Sequence, residues 1–361
     1  MGKKGISSFE LKAIVNELQI LVRGKVSQIY HQEKREMLFQ LHAPGQGKKL
    51  VKIIPGKYLC LTDTKHAPTR PTGFCMLLRK YLSNAFIKSV EQFESQRILV
   101  FELEKKDKFF LIIELFSKGN VVLTDSNYKI IGTLMWQKWK DRTVKPGERY
   151  IFPKSDINWI TISKKEFFDV LVGSDKKNLA TSLATQIGLG GVYAEEVCKM
   201  AKVDKGMLPG DVDSRISSKL FDALKKLIVS IEKPKGFVYE NEITPVELID
   251  DKVVETMDSY SMALDKINPF EVKSPYDKKI ITLKKMIENQ SLAITEQEKN
   301  IDLNTKMGEL IYEKYTQLQK LLDIVSSLKK DMDWKEISVE LKKEKKISSV
   351  DLKRKMVVID L

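Results

Sequence analysis

The sequence predicts an α+β protein: a two-sheet antiparallel domain with flanking helices, then a helical domain, then a long helical arm. Three features of the 361 residues support this prediction. A helix followed by several alternating strands occurs twice before residue 135. Residues 162–232 then show the 3.6-residue periodicity of helices. From about residue 276 to residue 307 there is neither glycine nor proline, and isoleucine recurs every seven residues.

Capping residues, apolar spacing and turn signals locate the first two helices and nine strands. Ser7 or Ser8 can cap a helix over residues 7–22, and a second helix at 73–83 follows a proline-marked linker at 67–73. Alternating runs predict strands at 25–31, 36–42, 49–54, 57–62, 85–92, 97–104, 108–116, 119–124 and 129–134. This repeated order of a helix and then strands is typical of two antiparallel sheets packed together, with helices at their flank.

Residues 173–235 are predicted to form a helical domain around the turn Gly188-Leu189-Gly190-Gly191. A glycine turn between two helices resembles the hairpin of a helix-hairpin-helix, whose backbone N–H groups can approach a phosphate at the start of the next helix. Glu195 and Glu196 follow in that helix and oppose phosphate binding. A purely structural connection therefore stays open as the alternative.

The remaining chain is predicted to be a short-strand connector at 236–275, followed by an arm with a small helical middle unit at 276–361. One heptad position of the arm holds only isoleucine, whereas its companion position is mostly polar. The isoleucines are Ile280, Ile287, Ile294 and Ile301. This is half of a coiled-coil seam, so the helix, about 50 Å long, needs a partner helix. The first predicted domain is residues 1–172.

The placement of charge indicates a polyanionic partner. The net charge is +13. Residues 1–172 carry 30 Lys and Arg residues against 17 Asp and Glu residues, whereas residues 173–275 carry 14 against 17. A lysine-rich proteome would spread its excess over the whole chain. A basic amino-terminal domain beside a slightly acidic segment instead favours nucleic-acid binding.

Other classes of function have little support in the sequence. Cys60, Cys75 and Cys198 form no CxxC pair and the three histidines have no metal-ligand spacing, so we expect neither a metal site nor a cofactor. No stretch approaches the roughly 18 apolar residues that span a bilayer, and the amino terminus lacks a signal peptide. With no nucleophile, base or metal assigned, we expect a cytoplasmic binding protein, not an enzyme.

Three basic segments are candidates for contact with nucleic acid. Arg79 and Lys80 lie on the second predicted helix, and Lys118 lies in a tight turn. The run Trp136-Gln-Lys-Trp-Lys-Asp-Arg142 interleaves two indoles with cations that include Lys138 and Arg142, as in proteins that grip single-stranded RNA. The alternatives are a solvated helix face, a structural turn, and a core tryptophan with charges at its rim.

Several segments resemble, in their order along the chain, the amino-terminal part of the NFACT family of ribosome quality-control factors. They are Ser7–Leu11, Pro71–Leu82, Gln96–Leu99, Glu114–Leu123 and Lys145–Pro153. The resemblance continues through the Gly188–Gly191 turn to Gly308-Glu-Leu-Ile-Tyr312, so it covers essentially the whole chain. The motifs are individually modest, whereas their order is specific.

The resemblance implies a factor that binds tRNA and a large ribosomal subunit still carrying peptidyl-tRNA after a stall. Such factors recruit tRNA for C-terminal tailing of the stalled chain, while the ribosome performs peptidyl transfer. The resemblance also implies a fold like that of formamidopyrimidine-type DNA glycosylases. This chain begins Met1-Gly2, without the proline and glutamate that those enzymes use, so we expect no glycosylase chemistry.

The family's site residues carry over only in part. An acidic residue of the first helix, usually Asp, is Glu10 here, and an Asp-Arg pair is Gln96-Arg97. Arg97 keeps the ability to contact a phosphate or a base edge. Gln96 lacks the carboxylate, and Glu10 is one methylene longer. The resemblance therefore implies RNA contacts at these three residues, with a changed tailing constellation.

The resemblance also bears on what lies beyond this chain. Family members continue through a returning coiled-coil helix into a further basic domain, whereas this sequence ends at Leu361. We therefore expect either a fragment or a second chain that supplies the returning helix and the C-terminal domain. The alternative function is an adhesion or scaffold protein, in which the coiled coil binds protein partners.

Overall fold

The computed structural model describes residues 5–32, 35–65, 70–139, 142–154, 157–240, 242–267, 275–341, 347–351 and 356–359. The chain divides into two compact units, Met1–Glu271 and Val272–Leu361. Residues 67–69 of the proline-marked linker predicted at 67–73 lie outside the described residues.

The predicted helices and strands of the first 134 residues are confirmed. Helix α1 (Ser8–Leu18) starts at a capping box in which Ser7 and Glu10 exchange hydrogen bonds, and α2 (Gly73–Leu82) is capped by Thr72. The strands are β1 Lys25–Gln32, β2 Glu36–Ala43, β3 Gly47–Ile54, β4 Tyr58–Thr62, β5 Phe86–Gln92, β6 Ile98–Glu104, β7 Lys108–Glu114, β8 Asn120–Asp125 and β9 Ile130–Thr133.

The number of sheets was predicted wrongly. The nine strands form one antiparallel sheet in the order β4-β3-β2-β1-β5-β6-β7-β8-β9, not two. At the join Lys25 pairs with Phe86, and backbone hydrogen bonds flank this pair, from Val26 N to Ala85 O at 2.9 Å and from Ile87 N to Gly24 O at 2.8 Å. The two halves are therefore continuous through hydrogen bonds between distant segments, which local alternation does not reveal.

The two halves of the sheet nevertheless pack against each other. Apolar side chains from both halves line one small internal void: Val26, Phe39, Leu41, Val51 and Ile53 from the first half, and Ile87, Phe101, Leu103 and Leu111 from the second. The opposite face of β6 to β9 is covered by a hairpin, β10 (Gln137–Lys138) and β11 (Thr143–Val144), and by Tyr150. Burial on both faces explains the consecutive apolar residues Phe109–Ile113 of β7 and Val121–Leu123 of β8.

The helical segment shares the core of the sheet. Its helices are α3 Lys164–Val172, α4 Leu179–Thr185, α5 Gly191–Ala201 and α6 Ser214–Ser230. A small sheet of β12 (Gly236–Val238), β13 (Ile243–Thr244) and β14 (Glu255–Met257) follows, and then α7 (Tyr260–Ile267), which was not predicted. Leu183 and Leu264 belong to the same apolar cluster as Phe9 of α1. The predicted domain boundaries at 172 and 235 stay predictions.

The second unit contains the predicted long helix and a helical segment after it. These are α8 (Pro275–Glu313, 39 residues), α9 (Tyr315–Asp331) and α10 (Trp334–Leu341). A hairpin of β15 (Ile347–Asp351) and β16 (Met356–Ile359) ends the unit and was not predicted. At 1.5 Å per residue α8 is about 58 Å long. Ile287, Ile294 and Ile301 are 64%, 57% and 65% exposed, so the coiled-coil pairing stays a prediction.

The sequence predicted no membrane-spanning segment. Among the described residues, no helix combines the length and the apolar composition needed to cross a membrane.

The start of α7 is held by a carboxylate from α1. Glu17 Oε1 accepts a hydrogen bond from Tyr260 N at 2.6 Å, and Glu17 Oε2 accepts one from Ser261 N at 3.0 Å. Glu17 thereby satisfies two N–H groups that a helix leaves unpaired at its first turn. Burial raises the pKa of Glu17, although the hydrogen bonds from Ser261 and Tyr260 act in the opposite direction.

The dependence of stability on pH tests the burial of Glu17. Because folding raises the pKa of Glu17, the folded protein binds this proton more tightly than the unfolded chain. That stabilisation is present below the unfolded pKa and lost as pH rises through the folded pKa. We expect the free energy of unfolding of the wild type, minus that of Glu17→Gln, to fall as pH rises above the ordinary glutamate pKa of about 4.3. Urea denaturation measures it, and a difference that grows with pH would contradict the assignment.

Candidate functional site

The amino terminus of α1 is a buried junction between sheet and helices. Trp159 Nε1 donates a hydrogen bond of 2.7 Å to Ser8 Oγ, and the ring of Phe9 lies 4.4 Å from that of Tyr193. Tyr193 lies on α5, so this junction brings together segments about 150 and 185 residues apart in sequence. Its packing positions α5 directly beside the start of α1.

Glu10 lies inside this junction, where its side chain is 0% exposed. Glu10 Oε2 accepts a hydrogen bond of 2.6 Å from Ser7 N, and Glu10 Oε1 accepts one of 2.8 Å from the Tyr193 hydroxyl. Burial, followed by the negative charge of Glu10, raises the pKa of Tyr193 well above its ordinary value. Tyr193 therefore stays a protonated donor. The expected surface contact between Glu10 and RNA does not fit this burial, which gives the carboxylate a structural task.

The predicted glycine turn joins α4 to α5 and exposes the start of α5. Gly188 and Gly190 have φ values of +89° and +84°, a region that residues with a Cβ rarely adopt. Gly190 is the cap residue of α5 and provides no side-chain hydrogen bond to it. Leu189 is buried and anchors the turn in the core. The first N–H groups of α5 thus carry the positive end of its dipole without a side-chain cap.

A cleft of about 710 Å³ lies between the start of α1 and the glycine turn. Its lining includes Ile6, Ser7, Ser8, Arg97, Gly188, Gly190, Gly191 and Glu242. Arg97, which precedes β6, is half-buried, and burial lowers the pKa of its guanidinium. Among the described residues, no carboxylate forms an ion pair with Arg97. The fold thus places a desolvated cation in the same cleft as the uncapped start of α5, with Glu242 as the one acidic lining residue.

The predicted RNA-binding residues Gln96, Arg79 and Lys80 lie outside the cleft or are already engaged. Gln96 Nε2 donates a hydrogen bond of 2.7 Å to Pro153 O, which ties the loop before β6 to residues 150–154. Arg79 Nε donates one of 2.8 Å to Ile29 O, and its guanidinium lies 5.7 Å from the ring of Tyr30. Lys80, next to Arg79, is exposed. Arg79 therefore does not line the cleft of Arg97.

The turn at Lys118 is held by a close approach of two backbones. A Cβ on Gly119, whose φ is +69°, would lie 1.9 Å from Gly56 N, so only glycine fits there. Asn120 is fully buried, and its side chain bonds the backbone of Met135. Lys118 itself is exposed, and its carbonyl accepts a hydrogen bond of 3.1 Å from Arg35 Nη1. Sequence reasoning missed Arg35, because its proximity to Lys118 results from the fold.

The basic and aromatic run at 136–142 includes both side chains packed in the interior and side chains exposed to solvent. Arg142 is 7% exposed, its Nη1 lies 2.8 Å from Glu114 Oε1, and its guanidinium lies 4.3 Å from the ring of Trp139. Arg142 is therefore a core cation, and its predicted contact with RNA does not fit its burial. Trp136, in contrast, is 77% exposed, and Lys138 is also exposed. Asp141 lies outside the described residues.

The ion pair of Arg142 provides a direct test of its structural role. Arg142→Ala leaves the Glu114 carboxylate, 1% exposed, without its cation. Removal of one partner of a buried pair costs about 3 to 5 kcal/mol, so we expect a loss of that size in the free energy of unfolding in urea. Lys138→Ala removes an exposed cation from the same run and serves as the control, with an expected change below about 0.5 kcal/mol. Equal losses in the two variants would contradict the assignment.

Comparisons with known proteins agree with the order of motifs. A family model described as "NFACT N-terminal and middle domains" matches residues 7–358. The archaeal Rqc2 homolog aRqcH of Methanocaldococcus jannaschii is 29% identical over 371 residues, which cover 95% of this chain and 55% of that protein. The human ribosome quality control complex subunit NEMF is 23% identical over 94% of this chain and 36% of its own length. The chain thus spans about half the length of the archaeal relative and about a third of the length of the human one.

A solved structure shows the same fold. The N-terminal part of the fibronectin/fibrinogen-binding protein from Streptococcus suis superposes with a TM-score of 0.61, over 73% of this chain and 99% of that one, at 22% identity. At this identity the likeness concerns the fold alone. The expected likeness to DNA glycosylases stays a prediction.

Proposed function

The chain belongs to the NFACT family, and from that premise we propose that it is a ribosome quality-control factor that holds tRNA on an obstructed large ribosomal subunit. The names of its archaeal and human relatives support the quality-control role. The excess of basic residues supports a nucleic-acid partner, because it is concentrated in residues 1–172, whereas residues 173–275 are slightly acidic.

The observation that supports tRNA binding most directly is the cleft of Arg97. Phosphate oxygens are bound by arginine and by the free N–H groups at helix starts. Arg97 and the start of α5 line one cleft, and the glycines leave the backbone open to a close approach. Glu242 limits how deeply a phosphate can enter, whereas Glu195 lies outside the lining and is paired with Lys205 at 2.7 Å. The proposed contact is therefore one or two phosphates at the mouth of the cleft.

The proposed factor acts by binding and does not itself make or break bonds. In this proposal the ribosome adds each amino acid to the stalled chain from the recruited tRNA, and the factor positions that tRNA beside the peptidyl-tRNA. Glu10 would contribute through the position of α1 and α5, because its carboxylate is enclosed. A cytoplasmic location follows from the proposed work on ribosomes.

The long helix α8 would reach a partner of its own. Its exposed isoleucines at every seventh position suit a returning antiparallel helix, from a further part of this protein or from a second chain. The adhesion function remains the rival proposal, because the Streptococcus suis relative in fold is named for fibronectin and fibrinogen binding.

Binding of tRNA over a range of salt concentrations tests the proposed use of Arg97. We expect wild-type protein to bind labelled tRNA with a salt-sensitive affinity, measured by fluorescence anisotropy. Arg97→Ala should weaken binding by about tenfold and reduce the slope of log K against log[salt] by about one, because one phosphate contact is lost. Lys219→Ala removes an exposed cation of α6 and serves as the control.

Two outcomes would contradict different parts of the proposal. If Arg97→Ala and Lys219→Ala behave alike, the cleft is not the tRNA contact. If the wild-type protein binds neither tRNA nor large subunits carrying peptidyl-tRNA in co-sedimentation, the proposed function is wrong. Binding to immobilised fibronectin in that case would favour the adhesion function.

A further inference from the structure

We infer that Trp136 is a stacking platform for one unpaired nucleobase, with Lys138, exposed on the same side, as its phosphate contact. This inference rests on the proposed function in that the ligand is RNA. It identifies a second contact, separate from the cleft of Arg97, and the class of RNA that this contact recognises. The recognised element is a single-stranded loop or end, because the bases of a duplex are already stacked on one another.

Both neighbours of Trp136 are hydrogen-bonded to the buried side chain of Asn120, Met135 through its backbone and Gln137 through its side chain. Asn120 Nδ2 donates hydrogen bonds to Met135 O at 2.8 Å and to Gln137 Oε1 at 2.9 Å, while its Oδ1 accepts one from Met135 N at 3.1 Å. Gln137 Nε2 donates a further bond of 3.3 Å to Gly119 O, and Gln137 pairs with Val144 in the β10–β11 hairpin. The indole therefore projects from a segment whose neighbouring residues are hydrogen-bonded to the fold on both sides.

The alternation of the segment directs Trp136 and Lys138 to the same side. Residues 136 and 138 are exposed, whereas residues 137 and 139 are half-buried, as expected for extended backbone. Trp139 faces inwards, where Arg142 lies against its ring. Trp136 leaves 77% of its surface in water, while Trp159 is fully buried. Such exposure of a large apolar ring contributes nothing to the core and leaves the indole available to a ligand.

Basic residues lie near the segment that carries the exposed indole. The guanidinium of Arg35 donates to Lys118 O at 3.1 Å and approaches Met135 Sδ at 3.6 Å, so Arg35 and Lys118 lie next to the residue that precedes Trp136. In the part of the chain that the structure describes, no carboxylate forms an ion pair with Arg35, Lys118 or Lys138. An exposed aromatic ring with an exposed lysine on the same side is an arrangement by which proteins hold single-stranded nucleic acid. A docking site for an apolar protein surface would need further exposed apolar side chains here.

Binding of two RNA probes to the full chain tests the inference. The probes are a labelled oligouridine and an oligomer of the same length whose residues are abasic, so both carry the same phosphates. Stacking contributes about 1 to 3 kcal/mol per base, so Trp136→Ala should weaken oligouridine binding by about tenfold and leave abasic binding unchanged. Trp136→Phe keeps a ring and should retain most of the affinity. Tyr312→Ala, which removes another aromatic side chain that is 85% exposed, is the matched control and should bind as the wild type does.

The salt dependence separates the indole from the cations. Trp136→Ala should leave the slope of log K against log[salt] unchanged, whereas Lys138→Ala should reduce it by about one. Unchanged oligouridine binding by Trp136→Ala, or an equal loss for both probes, overturns the platform. If either of these results is found while the wild type binds tRNA in a salt-sensitive way, the inference about Trp136 is wrong and the proposed function stands. If the wild type binds neither probe nor tRNA, the proposed function fails with it.

Discussion

The carboxylates of α1, buried at Glu10 and half-buried at Glu17, are the constraint on which the arrangement of the first unit depends. Glu10 and Glu17 lie on one helix whose apolar residues are enclosed, and a carboxylate without water needs hydrogen-bond donors at fixed positions. The donors come from α5, where the Tyr193 hydroxyl meets Glu10, and from α7, where two backbone N–H groups meet Glu17. Helices that follow the sheet in sequence are thereby bound to the first helix, and the cleft of Arg97 exists because α5 is held there.

Fewer basic side chains are available to a polyanionic ligand than the number of Lys and Arg residues in the sequence suggests. Arg142 is enclosed with Glu114, and Arg79 is bonded to a backbone carbonyl, so their charges serve the fold first. Arg97 is half-buried without an ion-pair partner among the described residues, and Lys118 and Lys138 are exposed. A charge that is desolvated but unpaired is unfavourable unless a ligand completes it. The fold therefore separates structural cations from those available to RNA, a distinction that net charge alone does not contain.

The two proposed contacts would read different parts of an RNA. The cleft of Arg97 offers a cation and the start of a helix, which suit the phosphate backbone whatever its sequence. Trp136 offers a ring to the face of a base and therefore needs that base to be unpaired. Together they would favour a folded RNA that has both a structured backbone and an open loop. Each contact lies within the first unit, so this preference does not depend on the arm.

The sequence by itself determined the local elements of this protein, because their signals are local. Nine strands, the capped helices and the glycine turn before α5 lie where alternation, capping residues and turn residues predicted them. The tertiary structure decided what depends on distant partners. The two halves of the sheet join through Lys25 and Phe86, and α7 is capped by Glu17, a residue 243 positions before Tyr260. The burial of Glu10 and Arg142 and the exposure of Trp136 were equally undetermined by local pattern, since identical spacing admits either environment. Only the folded chain brings together the groups that enclose one side chain and leave its neighbour in water.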